Sequence, residues 1–208
     1  QRLASGEVLD DTGQPLPPGA PFQPGARIHY YRHLDDEPLI PFEETVLFQD
    51  GHLLVADKPH FLPVTPGGRY VQQSLLVRLK RRTGIDTLSP IHRIDRETAG
   101  LVLFSVRPQD RNAYQALFRD RAVHKTYEAI APHRPALTFP LTRRSRIEED
   151  SERFFRMVEA DGEPNSETRI ECTEVRGAWA RYTLSPVTGK RHQLRVHMNA
   201  LGAPIAGD

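Results

Sequence analysis

Apolar and polar positions along this chain fall into short alternating runs broken by a few helix-spaced segments. "TVLFQDGHLLVAD" at 45–57 sets two apolar runs about Asp50-Gly51, a pair that accepts the positive φ of a tight turn and so predicts a hairpin. "KPHFLPVTPGG" then reads as a loop. Over 71–82, Leu75, Leu76 and Leu79 recur at helical spacing beside Arg78, Arg81 and Arg82, and Gly84 is placed to stop the helix. The spacing predicts a helix with one basic face. Residues 100–106 are an apolar strand candidate, and 109–119 a helix whose Tyr114, Leu117 and Phe118 could face a sheet. Further strands are expected at 125–131, 154–159, 168–173 and 178–184, the last alternating in "AWARYTL". "TGKRHQLRVHMNALG" places Leu194, Met198 and Leu201 on one helical face, with Gly202 as a stop and Pro204 beyond. Many strands with few helices indicate an α+β fold.

Residues 1–41 differ, with phrases such as "GQPLPPGAPFQPG" where proline removes the donors that helices and central strands need. We expect an arm with at most short strands, for example at 27–31, followed by one main domain over 42–208. Composition narrows the class. Apolar residues make up 38% and charged residues 26% of 208 positions, and no apolar run approaches the roughly 20 residues of a membrane span. No membrane role and no secretory leader are expected, and a cytoplasmic monomer is the default. Cys172 is the sole cysteine, which excludes an internal disulfide framework and zinc sites built on paired cysteines. Net charge is only +1, so a nucleic-acid partner would have to be met by local patches such as "RLKRR" at 78–82 and "RRSR" at 143–146.

Three constellations carry candidate chemistry. In "HRIDRETAG" at 92–100, Asp95 sits between Arg93 and Arg96, ahead of an apolar strand. Guanidinium groups favour the ionised carboxylate, as a nucleophile requires, although a surface ion pair is the plainer reading. In "KTYEA", Lys125 and Tyr127 share one face of a strand. The tyrosine could stack on a base or move a proton, or simply be half-buried. In "KRHQLRVH", Arg191 and Arg195 are four apart and share a helical face, suited to planar recognition of a carboxylate or phosphate. His92, His192 and His197 lack the spacing of a metal site, and no Gly-rich phosphate loop or G-x-S-x-G elbow is present.

Taken in order, "HRIDRETAGLVLFS", "KTYEAIA" and "TGKRHQLRVHMNALGAPIAGD" resemble the three signature blocks of the RluA-type pseudouridine synthases, and "LLVADKPHFLPVTPGG" resembles the block before them. The resemblance runs from about residue 47 to residue 208. It implies a mostly antiparallel mixed sheet with flanking helices, preceded by part of a small RNA-binding-like domain and normally continued by more sheet after Asp208. It also implies an isomerase that detaches uracil from ribose in RNA and reattaches it through carbon, without metal or cofactor. On this likeness Asp95 is the catalytic aspartate, Tyr127 the active-site tyrosine and Arg195 the arginine paired with the aspartate. Leu194 walls the pocket, Arg93 enters the RNA helix in place of the flipped uridine, and His92, Arg191 and His192 join it as RNA or substrate contacts. Ribosomal RNA is the expected target, with transfer RNA second. A catalytically silent RNA-binding module and a hydrolase releasing free uracil are the alternatives.

Overall fold

The computed structural model describes residues 2–30, 37–153 and 156–207. In the proline-rich arm the backbone forms one short antiparallel ribbon, β1 (Val8–Leu9) with β2 (His29–Tyr30). The strand expected at 27–31 is thus reduced to two residues, and Tyr31 lies outside the described residues.

The first sheet contains β3 (Thr45–Gln49), β4 (Leu53–Lys58), β5 (Ser89–Pro90) and β6 (Gly100–Ser105), in the order β3-β4-β6-β5. The expected hairpin forms, but glycine is not what turns it. Asp50 accepts hydrogen bonds from the N–H groups of His52 and Leu53, each at 2.7 Å, and Gly51 does not need a left-handed φ. Alternation along β4 buries Leu54, Ala56 and Lys58 completely, opposite Val102 and Phe104 of β6. Helix α1 (Leu75–Thr83) covers this face through Leu75 and Leu79, and ends at Gly84 with φ 70°, whose N–H bonds to the Lys80 carbonyl. It starts four residues later than its pattern predicts. The Glu37 carboxylate accepts the N–H groups of Val71, Gln72 and Gln73, holding those residues in a turn that caps the helix from outside.

The predicted basic face of α1 is turned onto the protein itself. Buried Glu44 takes Arg78 at 3.3 Å and Arg82 at 2.9 Å, and Arg78 also donates to the carbonyls of Ile40 and Phe42. Two of its arginines therefore clamp residues 40–44, Arg78 largely buried and Arg82 still 45% exposed.

A 3-10 turn at Pro108–Asp110 leads into α2 (Arg111–Arg119). The second sheet then follows: β7 (Tyr127–Pro132), β8 (Leu141–Glu149), β9 (Met157–Ala160), β10 (Ser166–Arg176) and β11 (Trp179–Pro186), in the order β7-β11-β10-β8-β9. All strand pairings among the described residues are antiparallel. Strand β8 corrects the reading of "RRSR" as a basic patch, because Arg143 pairs with Glu159 of β9 and Arg144 with Glu167 of β10 at 2.8 Å. Its dense charge hides a strand whose partners are equally charged. The strand expected at 154–159 is observed from Met157, with Phe154 and Phe155 outside the described residues.

Helix α3 (Gln193–Ala200) packs on this second sheet. Met198 joins a core with Ala131, Ile170, Ala180, Tyr182 and Leu184, while Leu194 and Leu201 pack at its edge.

Candidate active site

Asp95 lies in the loop between β5 and β6, and the loop is held from beneath by the end of β4. Lys58 donates from its buried ammonium to the carbonyls of Pro59 at 3.0 Å, Leu62 at 2.8 Å and Arg96 at 3.1 Å. One side chain thus ties the catalytic-loop candidate to the preceding loop. Burial lowers the Lys58 pKa to about 8, against the pull of Glu97 and Asp95. His60 adds a second tie, with Nδ1 2.6 Å from the Glu97 carbonyl oxygen.

From the other sheet, α3 brings Arg195 to Asp95. Its Nη1 stands 3.8 Å from Asp95 Oδ2 and 3.8 Å from Glu97 Oε2, so one guanidinium bridges two carboxylates. Asp95 keeps about 30% of its side chain exposed, enough to meet a substrate while facing its cation. His192 Nε2 lies 3.9 Å from Asp95 Oδ1. His192 precedes α3 with φ 53°, a left-handed conformation unusual for a residue with a side chain and common at working sites. Burial lowers its pKa in spite of Asp95, with Arg195 and Arg191 acting in the same direction as burial. Tyr127 opens β7, and burial followed by the charge of Asp95 raises its phenol pKa above the ordinary 10. The phenol therefore stays protonated around neutral pH.

What aims Arg195 is a buried polar lattice under α3. His197 Nε2 is 3.0 Å from both Ser145 Oγ and Ser166 Oγ, and its Nδ1 is 2.9 Å from Thr168 Oγ1. Gln193 donates to the Glu167 carbonyl and Thr168, each at 2.9 Å, and accepts from Thr188 at 2.7 Å. Such fully partnered groups fix a helix's rotation as apolar packing alone would not.

The remaining sequence candidates separate. Arg191 precedes α3 instead of sharing its face with Arg195, because the left-handed turn at His192 intervenes, and it meets Glu149 of β8 at 3.4 Å. His92 is stacked on Phe118 at 4.7 Å, and its Nε2 accepts the Leu103 N–H at 3.2 Å. Burial, with Lys125 second, lowers its pKa to about 4. Arg93 is exposed, and Leu194 borders the second core. Lys58, Glu97, Gln193 and His197 were not assigned roles from the sequence. Lys58 had a legible signal, since it continues the inward series Leu54, Ala56. No group of three or more His, Cys, Asp or Glu side chains among the described residues could hold a metal ion.

Beside the cluster runs an open groove of about 550 Å³, which His192 and Arg195 share with Arg156, Glu159 and Asn199. Asp95 and Tyr127 do not line it. Residues 52–200, which contain Asp95, Tyr127 and Arg195, match the RNA pseudouridylate synthase family. The chain belongs to that family. It is therefore a pseudouridine synthase, an isomerase, and its relatives are of the RluA type. This synthase is 30% identical to an RNA pseudouridine synthase of Synechocystis over 211 residues, covering 100% of this chain and 72% of that one. It is 32% identical to the dual-specificity RNA pseudouridine synthase RluA of Haemophilus ducreyi, covering 82% of this chain and 78% of that one. It is 31% identical to ribosomal large subunit pseudouridine synthase C of Vibrio cholerae, covering 80% of this chain and 52% of that one. Among solved structures, human RNA pseudouridylate synthase domain containing 4 superposes with a TM-score of 0.61 at 30% identity, over 78% of the synthase and 67% of that chain.

Proposed function

We propose that Asp95 is the catalytic carboxylate of this synthase and that it acts on a uridine flipped out of structured ribosomal RNA, with transfer RNA as the second candidate. The isomerisation breaks the N1–C1′ bond, rotates the uracil and forms a C5–C1′ bond, while a proton leaves C5 and N1 gains one. Asp95 would add to C1′, add to the base, or assist formation of a glycal by stabilising the sugar cation. Each route needs the ionised acid, and Arg195 of α3 sets its guanidinium 3.8 Å from that carboxylate. Tyr127, a protonated phenol that feels the charge of Asp95, would pack on the base and serve in proton transfer. Arg93, exposed on the same loop, would occupy the space that the extruded base vacates, offsetting part of the few kcal/mol that flipping costs.

The observation that carries this reading is the 3.8 Å approach of Arg195 to Asp95 across two sheets. Asp95→Asn keeps shape and removes the charge. Incubated with transcribed ribosomal and transfer RNA, it should form no pseudouridine by mass spectrometry while binding RNA about as tightly as the parent. Retention of more than a few per cent of turnover would overturn the assignment. Free uracil as the product would point to hydrolysis instead, and mapping of modified uridines in cells with and without the gene identifies the target.

A further inference from the structure

Phe61 is an outlier in two respects. Its φ of 66° lies in the left-handed region, where a bulky side chain is strained and glycine would be at ease, and its ring is 46% exposed. Burial of the ring does not compensate the strain. The ring instead joins an exposed aromatic group: Phe42, itself 48% exposed, has its centroid at 6.2 Å, and the His60 ring stands at 5.9 Å. This group is fastened to the Asp95 loop, since His60 meets the Glu97 carbonyl and Lys58 binds both Leu62 and Arg96. Cations stand close by in sequence and space. Arg69 and Arg96 both lie over the Tyr70 ring, at 5.8 and 5.9 Å, and both are exposed, Arg96 also pairing with Glu97 at 2.8 Å.

Exposed rings bordered by guanidinium groups are the means by which proteins hold unstacked RNA bases between a π-face and the phosphate backbone. We propose that Phe61, with Phe42 and His60, forms a stacking platform for an unpaired RNA base flanking the target uridine. Arg69 holds the adjoining phosphate. The proposal rests on this chain's acting on RNA and assigns the platform a share in choosing which uridine is presented. The backbone strain at Phe61 is then retained for the position of its ring.

The test uses the full chain, hairpin RNAs in which 2-aminopurine replaces one loop base at a time, and Phe61→Gly, which removes the ring and relieves the φ. The parent should quench the fluorophore strongly at one or two loop positions. Phe61→Gly should lose that quenching and bind about tenfold more weakly, with an unchanged or higher melting temperature. Phe61→Trp should restore both quenching and affinity. Quenching at no loop position in the parent, or equal quenching and affinity in Phe61→Gly, overturns the proposal and leaves the rings for a protein partner. A fall in melting temperature with unaltered quenching overturns it as well, because the ring would then be structural. Fluorescence needs no turnover, so an active Asp95→Asn variant would refute the catalytic assignment without touching this result.

Discussion

Arg195 reaches Asp95 and Glu97 from one nitrogen, Nη1, at 3.8 Å each, and the ammonium of a lysine, on a shorter stem, would not reach that position. Arg195→Lys should therefore lower the single-turnover rate constant at least tenfold, measured with enzyme in excess over RNA, while Kd changes little. Tyr127→Phe separates packing from proton transfer. It keeps the ring, so RNA affinity should persist, and loss of the hydroxyl should reduce kcat about a hundredfold if the phenol carries a proton. An unchanged kcat would confine Tyr127 to packing.

At the scale of elements, the groups that set the site are buried beneath it. His92 and His197 both have pKa values lowered to about 4 by burial, against an ordinary 6.5. Between pH 6.5 and 4 the unfolded chain takes up protons that the folded chain refuses. The stability from these neutral rings is complete above pH 6.5 and is lost as pH falls through 4, at about 1.4 kcal/mol per pH unit for each histidine. Melting curves across that window should show the decline, and His197→Gln should have a shallower slope than the parent. A parallel slope would show that His197 is not one of the groups responsible. The sequence predicted α3 and its apolar stripe because Leu194, Met198 and Leu201 repeat at helical spacing. It did not disclose the polar lattice of Gln193, His197, Ser145, Ser166 and Thr168, since those partners come from two neighbouring strands, Ser145 on β8 and Ser166 and Thr168 on β10, and the charges of β8 masked its alternation. The hairpin of β3 and β4 was legible for a related reason. Its turn residue Asp50 was visible, although the work is done by the Asp50 carboxylate rather than by a glycine φ.

Across the whole molecule, the charge that looked available for RNA is largely spent internally. Arg78 and Arg82 share the single carboxylate of Glu44, and Arg143 and Arg144 pair with Glu159 and Glu167. With a net charge of only +1, RNA affinity depends on local groups of cations rather than on the whole-molecule field. Arg93→Ala should reduce the slope of log Kobs against log salt by about 1, whereas Arg144→Ala should leave the slope unchanged. Equal effects would place a phosphate path along β8. Most of the site's members were readable because each sits in a distinctive local phrase. Their meeting was expected only through the family resemblance, because no local pattern records that the loop before β6 and the helix after β11 end up side by side.

That meeting has a practical corollary. The acid belongs to a part of the polypeptide that ends before residue 120, and its guanidinium and phenol come from the part that follows. Severing the backbone at 120–124 should give two inert pieces, and their recombination should be scored by regained isomerisation. Catalysis would then serve as a complementation signal, returning only when both halves have docked correctly.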